Sequence, residues 1–188
     1  EELSHIAANA LKQKEIKLEN ILLKDRIEQI AKPDELIGES NEIKKIFSLI
    51  NTVAPNDTNV TIRGESGTGK ELLAKAIHNN SQRKYKPFIT VNCGVLTEQL
   101  LECDLFGHEK DAVTGLHFKR RGKLETVSGG TLFLDEIAAI SPKMQFQLLK
   151  ILETKHFQRI GSSEEISADF RLIAATNEPL EALTKKGI

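Results

Sequence analysis

The stretch that most constrains this chain is GESGTGKE at 64–71, set directly between an apolar β-type run, NVTIR (59–63), and a helical pattern that starts near residue 70. Gly64, Gly67 and Gly69 permit turns closed to residues with a Cβ, so that successive backbone N–H groups can be aimed inward at one point. A helix beginning there adds its positive end to the same point. The result is a cradle for phosphate, with the Lys70 ammonium as a point charge for β- and γ-phosphates. Such a loop needs a strand behind it and a helix in front of it, which is half of a β-α-β crossover and therefore implies a parallel sheet with helices on its faces.

The rest of the chain continues that alternation. PFITV (87–91), TLFLD (131–135) and DFRLIAAT (169–176) read as strands, and helical patterns cover about 70–79, 97–104 and 142–153. Ahead of the first strand, Ser40 or Asn41 is placed to cap a helix whose apolar face is Ile43, Ile46, Phe47, Ile50 and Val53, with Pro55 marking its end. Residues 1–31 have another texture, without Gly or Pro and with apolar residues at helical spacing. Ile16, Asn20, Leu23, Ile27 and Ile30 fall on one seam, with Asn20 as a register-fixing polar residue if two chains pair there. The competing expectation is an amphipathic helix lying on its own domain, and the stripe of Leu11, Leu18 and Leu22 suits either. Pro33 ends this helix, which puts a boundary at 31–35.

Two carboxylates complete a second motif. GGTLFLDE (129–136) is an apolar strand that ends in Asp135 and Glu136 about 60 residues past the cradle. Asp135 is expected to hold Mg²⁺ through water, and Glu136 to orient and deprotonate an attacking water. Both reach one site only if the strand stops there, because strand neighbours otherwise point to opposite faces. Asn92 and Asn177 follow two other strands and are expected at the same sheet edge, where ligands of open parallel sheets bind. At the end of the cradle Glu71 stands where a magnesium-binding Ser or Thr is usual, so the metal would rely on Asp135, the phosphates and water.

Composition narrows the function classes. A length of 188 residues fits one ordinary domain, and 26 Lys+Arg against 27 Asp+Glu give a net charge of -1, which argues against a broadly basic nucleic-acid surface. No apolar run is long enough for a membrane span and no signal pattern opens the chain, so a cytoplasmic location is expected. Cys93 and Cys103 lack metal-site spacing and read as structural free thiols.

GESGTGKE, VNCGVLTEQLLECDLFGHEK, SGGTLFLDE, QLLKILETKHFQRIG and DFRLIAATN, in that order and spacing, resemble the AAA+ ATPase domain of bacterial enhancer-binding proteins, the NtrC-type activators of sigma-54 RNA polymerase. The likeness covers about residues 35–188, and Glu71 in place of Ser/Thr is itself what that family shows. The helix at 1–31 resembles the linker between a receiver domain and that ATPase, as in a two-component system. The resemblance implies an α/β P-loop NTPase fold, a parallel sheet flanked by helices and preceded by a long N-terminal linker helix. It implies that Gly64, Glu65, Ser66, Gly67, Thr68, Gly69, Lys70 and Glu71 bind the phosphates of ATP, with Ile37 and Gly38 near the adenine. Asp135 and Glu136 become the Walker B pair, Asn92 restrains Glu136 until a signal arrives, and Asn177 senses the γ-phosphate.

The family's substrate-remodelling loop, GAFTGA, corresponds here to DAVTGL, formed by Asp111, Ala112, Val113, Thr114, Gly115 and Leu116. Val113 offers much less apolar area than the aromatic tip it replaces, and Asp111 adds charge while giving up the backbone freedom of glycine. Phe118 is a less favoured substitute tip, and the basic run Lys119, Arg120, Arg121 and Lys123 reads as a solvated loop base before it reads as a contact to DNA or nucleotide. In the family, the arginines that enter a neighbour's ATP site come just after the position of Ile188, followed by a lid and usually a DNA-binding domain. The 188 residues are therefore expected to bind ATP and hydrolyse it slowly. Three readings follow: a ring-forming ATPase that remodels sigma-54 polymerase through the 106–121 loop, an AAA+ regulator that no longer engages sigma-54, and a nucleotide-binding or dimerisation module without turnover.

Overall fold

The structure is a computed structural model and describes residues 40–112 and 118–179. The chain divides into two units, Glu1–Glu35 and Leu36–Ile188, and all described residues belong to the second. The linker helix expected at 1–31, Ile37 and Gly38 lie outside the described residues, as do Val113, Thr114, Gly115 and Leu116.

Helix α1 (Asn41–Val53) starts at Ser40, whose hydroxyl accepts the Ile43 N–H at 3.2 Å, and stops just before Pro55. Strand β1 (Val60–Arg63) leads through the glycine-rich loop into α2 (Lys70–Asn79). There follow β2 (Phe88–Asn92), α3 (Glu98–Phe106), the short strands β3 (Gly107–His108) and β4 (Arg120–Arg121), and α4 (Lys123–Thr126). Strand β5 (Thr131–Asp135) runs into a 3₁₀ turn (Ile137–Ala139) and α5 (Pro142–Thr154), capped by the Ser141 hydroxyl. A hairpin of β6 (His156–Gln158) and β7 (Glu165–Ser167) precedes β8 (Arg171–Thr176).

The main sheet is parallel throughout, in the order β1-β8-β5-β2. Period-two alternation on β5 supplies both faces: Leu132 and Leu134 enter a core with Leu101, Leu105, Met144 and Leu148 of α3 and α5, while Phe133 enters one with Ile50, Ala74 and Ile77 of α1 and α2. Each such fully buried Leu or Phe contributes about 1.5–3 kcal/mol. The order places β8 between the cradle strand and the carboxylate strand, so whatever follows β8 stands between the two motifs.

One strand residue is unusual. Arg171 is 1% exposed, and its guanidinium donates to the carbonyls of Val53 (3.0 Å), Ala54 (2.9 Å) and Thr58 (3.1 Å). It closes the C-terminal end of α1, whose last carbonyls have no partner within the helix.

Among the described residues, no helix is long and apolar enough to cross a membrane.

Candidate functional site: a phosphate cradle facing two carboxylates

The site forms where β1, β8 and β5 end. Gly64 N–H donates to the Thr176 carbonyl at 3.1 Å, which ties the start of the loop to the end of β8. Gly67 (φ 78°) and Gly69 (φ 82°) take left-handed conformations, which strongly favour glycine. Thr68 Oγ1 donates to the Glu65 carbonyl at 2.8 Å and braces the turn from inside. The Lys70 ammonium lies folded over the loop, donating to the carbonyls of Glu65 (2.8 Å) and Gly64 (3.1 Å). Both acceptors are neutral carbonyls, so an anion entering the loop finds the ammonium already in place.

Ser66, Gly67, Gly69, Lys70, Glu71, Asp135, Glu136 and Asn177 line one cavity of about 170 Å³. The structure thus brings together the cradle, both carboxylates and the asparagine after β8. Glu71 points along α2 toward Lys75, 3.3 Å away. Among the described residues no group of three or more His, Cys, Asp or Glu could cage a metal. A single strand-end carboxylate beside a phosphate cradle suits Mg²⁺, which keeps several waters and takes one or two carboxylates together with phosphate oxygens.

The carboxylates are set by a break in β5. Asp135 is the last strand residue, register partner of Asn92 on β2, and its Oδ1 accepts the Glu136 N–H at 2.9 Å. Glu136 is left-handed (φ 54°, ψ 45°), uncommon outside glycine, and this turn ends the strand so that both side chains reach the cavity. Asn92 Oδ1 accepts the Gly94 N–H at 2.9 Å, folding the β2–α3 turn beside Glu136. Cys93, buried behind the pair, donates its N–H to the Asp135 carbonyl at 2.9 Å. Burial, with the charges of Asp135 and Glu136 adding to it, pushes the Cys93 thiol up to about 12.

The base of the loop at 106–121 is held by charge. Lys119 pairs with Glu109, Arg120 with Asp104 and Arg121 with Glu125, so these cations are engaged by carboxylates of the same domain. Arg159, after β6, joins Glu109 and Glu125 from the other side. Phe118 is 58% exposed, and its ring lies 5.9 Å from that of buried His108. Asp111 has φ 60°, a left-handed backbone that glycine adopts more readily than a residue carrying a side chain. Sequence reasoning missed Gly94 and the Arg159 network, since neither has a local pattern.

Residues 36–188 match the family model of the Sigma-54 interaction domain. The chain belongs to this family. As a Sigma-54 interaction domain it is 46% identical over 178 residues to a Nif-specific regulatory protein of Herbaspirillum seropedicae, covering 95% of this chain and 33% of the relative. It is 50% identical over 152 residues to the transcriptional regulatory protein ZraR of Escherichia coli K12, covering 81% of this chain and 34% of that one. The chain therefore spans about a third of the length of these relatives. Among solved structures it resembles NtrX from Brucella abortus in complex with ATP, with a TM-score of 0.76 and 35% identity over 93% of this chain and 39% of that one. Sigma-54 interaction domains are P-loop NTPases of the AAA+ class, and the parallel sheet described above is their fold.

Proposed function

We propose that this chain is the ATP-binding and ATP-hydrolysing core of a sigma-54-dependent transcriptional activator, working as a ring and remodelling sigma-54 RNA polymerase through the 106–121 loop. The observation that carries this reading is the convergence of Lys70, Asp135, Glu136 and Asn177 on one cavity at the carboxyl ends of parallel strands. ATP is the substrate. The loop N–H groups and Lys70 bind its β- and γ-phosphates, and Asn177, set between cradle and carboxylates by the strand order, reports whether the γ-phosphate is present. Glu136 orients a water and takes its proton as the water oxygen bonds to the γ-phosphorus and the bond from that phosphorus to the departing ADP breaks, giving ADP and inorganic phosphate. Asp135 would hold Mg²⁺ through water, and the ion would supply charge that offsets the phosphates. That NtrX, similar over nearly the whole chain, has been solved in complex with ATP supports ATP as the nucleotide.

A second reading keeps the ATPase and drops sigma-54 as its target. Val113 and Asp111 favour it, because Val113 offers much less apolar area than the aromatic of GAFTGA and Asp111 puts a charge where that motif has glycine. Pairing of linker helices through the Asn20 seam, DNA contact through a further domain and a cytoplasmic location belong to the proposal under either reading.

The experiment that tests the proposal traps the full-length protein with ADP and a metal fluoride, a mimic of the transferring phosphoryl group, in the presence of purified sigma-54. A stable complex supports the activator. No complex from a protein with intact ATP turnover rejects sigma-54 as target and leaves the second reading.

A further inference from the structure

The β2–α3 turn holds a residue to which neither motif nor family likeness gives a role. A Cβ placed on Gly94 would lie 1.9 Å from Oε2 of Glu136, 3.0 Å from its Cδ and 3.5 Å from Oδ1 of Asn92. These are the nearest atoms it would meet, so the space beside Gly94 is filled by the Glu136 carboxylate. Gly94, unlike Gly67 and Gly69, lies outside the left-handed region, so its φ does not itself call for glycine. What a side chain there would disturb is the glutamate.

The two sides of this contact are held independently. The turn is folded by the Gly94 N–H to Asn92 Oδ1 bond of 2.9 Å. The Glu136 backbone is fixed by its left-handed conformation and by the 2.9 Å bond from its N–H to Asp135 Oδ1. Relief of a clash therefore falls to the rotatable bonds of the Glu136 side chain, the softest element present.

We propose that the missing Cβ of Gly94 is the seat of the resting Glu136 carboxylate, making residue 94 a positioning residue that sets how far this glutamate stands from the phosphate cradle. The inference rests on the reading of Glu136 as the base that serves the attacking water. With glycine the carboxylate lies back on the turn beside Asn92. An alanine expels it, and the open direction is the cavity that Glu136 already lines with Lys70 and Asn177. Displacements of about 1 Å at a reacting group change rates by up to roughly 10²-fold.

The test compares ATP turnover of the full-length protein carrying Gly94→Ala, alone and combined with Glu136→Asp, whose carboxylate is one methylene shorter and withdraws from the contested space. The expected result is a kcat raised about threefold or more by Gly94→Ala, a KM for ATP within about twofold, and no such gain in the Glu136→Asp background. Where Glu136→Gln abolishes turnover, an unchanged or lowered kcat in Gly94→Ala overturns the proposal, as does the same gain in both backgrounds, since the effect then bypasses the carboxylate. A crystal structure of nucleotide-free Gly94→Ala protein gives a readout independent of catalysis. A carboxylate moved off the turn supports the seat, and a carboxylate in place with the turn displaced instead refutes it. If Glu136→Gln leaves turnover intact while that crystal shows the carboxylate moved, the seat stands and the base role is what fails.

Discussion

Asn92 and Asp135 are register partners at the ends of β2 and β5, and the residue after each is committed to the site's geometry. Cys93 N–H holds the Asp135 carbonyl, and Glu136 turns left-handed to end the strand. The site is thus built at the point where two neighbouring parallel strands stop together, which lets adjacent carboxylates act in one cavity despite strand alternation.

Lys70 is held by two neutral carbonyls, and its charge is available to an incoming phosphate. Replacement by alanine removes a charge-assisted hydrogen bond worth about 1.5–3 kcal/mol. ATP affinity measured by calorimetry is expected to fall roughly 10- to 100-fold, with the thermal midpoint of the nucleotide-free protein little changed.

The elements around this cradle were legible because they are long and periodic. NVTIR, PFITV and TLFLD carry β-type runs, α1 and α5 carry apolar stripes, and Ser40 carries a capping signal. Strands β3, β4, β6 and β7 were not, since two or three residues cannot display an alternation. Strand order was hidden as well: β1 pairs with β8 across more than a hundred residues, a long-range contact without a local code. Gly94 escaped for the opposite reason to Gly67, because its backbone is ordinary and its importance lies in a neighbour 42 positions away.

Arg171 shows the same blindness in a polar residue. The run DFRLIAAT reads as strand, but nothing in it says that this arginine is buried and closes α1 from more than a hundred positions downstream. Arg171→Met leaves the Val53, Ala54 and Thr58 carbonyls without their donor. The loss is expected to cost about 2–4 kcal/mol, read as a lower urea midpoint with the slope retained.

Burial lowers the pKa of His78, whose Nδ1 is hydrogen-bonded to Thr131 Oγ1 at 2.9 Å, although the Lys86 backbone acts the other way. A folded pKa below the unfolded value of about 6.5 means that the unfolded chain takes up the proton first as pH falls. The neutral ring's contribution is therefore full above about pH 6.5 and lost progressively below it. Urea midpoints at pH 7.5 and 5.5 are expected to differ more in the natural protein than in His78→Gln. Asp57, held low by its hydrogen bond to Arg83, loses its contribution only at more acid pH and does not mask the comparison.

Cys93 and Cys103 are both buried and free, and both thiols are raised, Cys93 to about 12. The thiolate is the reactive species. A disulfide reagent at pH 8 is expected to leave both unmodified in the folded protein over minutes and to titrate both in denaturant. Rapid labelling of Cys93 in the folded state would mean that the wall behind Asp135 is open.

The central claim, that Glu136 serves the water attacking ATP, is tested most directly by steady-state turnover and ATP affinity of Glu136→Gln in the full-length protein. The amide keeps the size of the side chain and cannot take the proton. Turnover is predicted to fall by about 10² to 10⁴-fold with the dissociation constant for ATP within about twofold of the natural protein. Turnover near that of the natural protein, at unchanged affinity, would contradict the account.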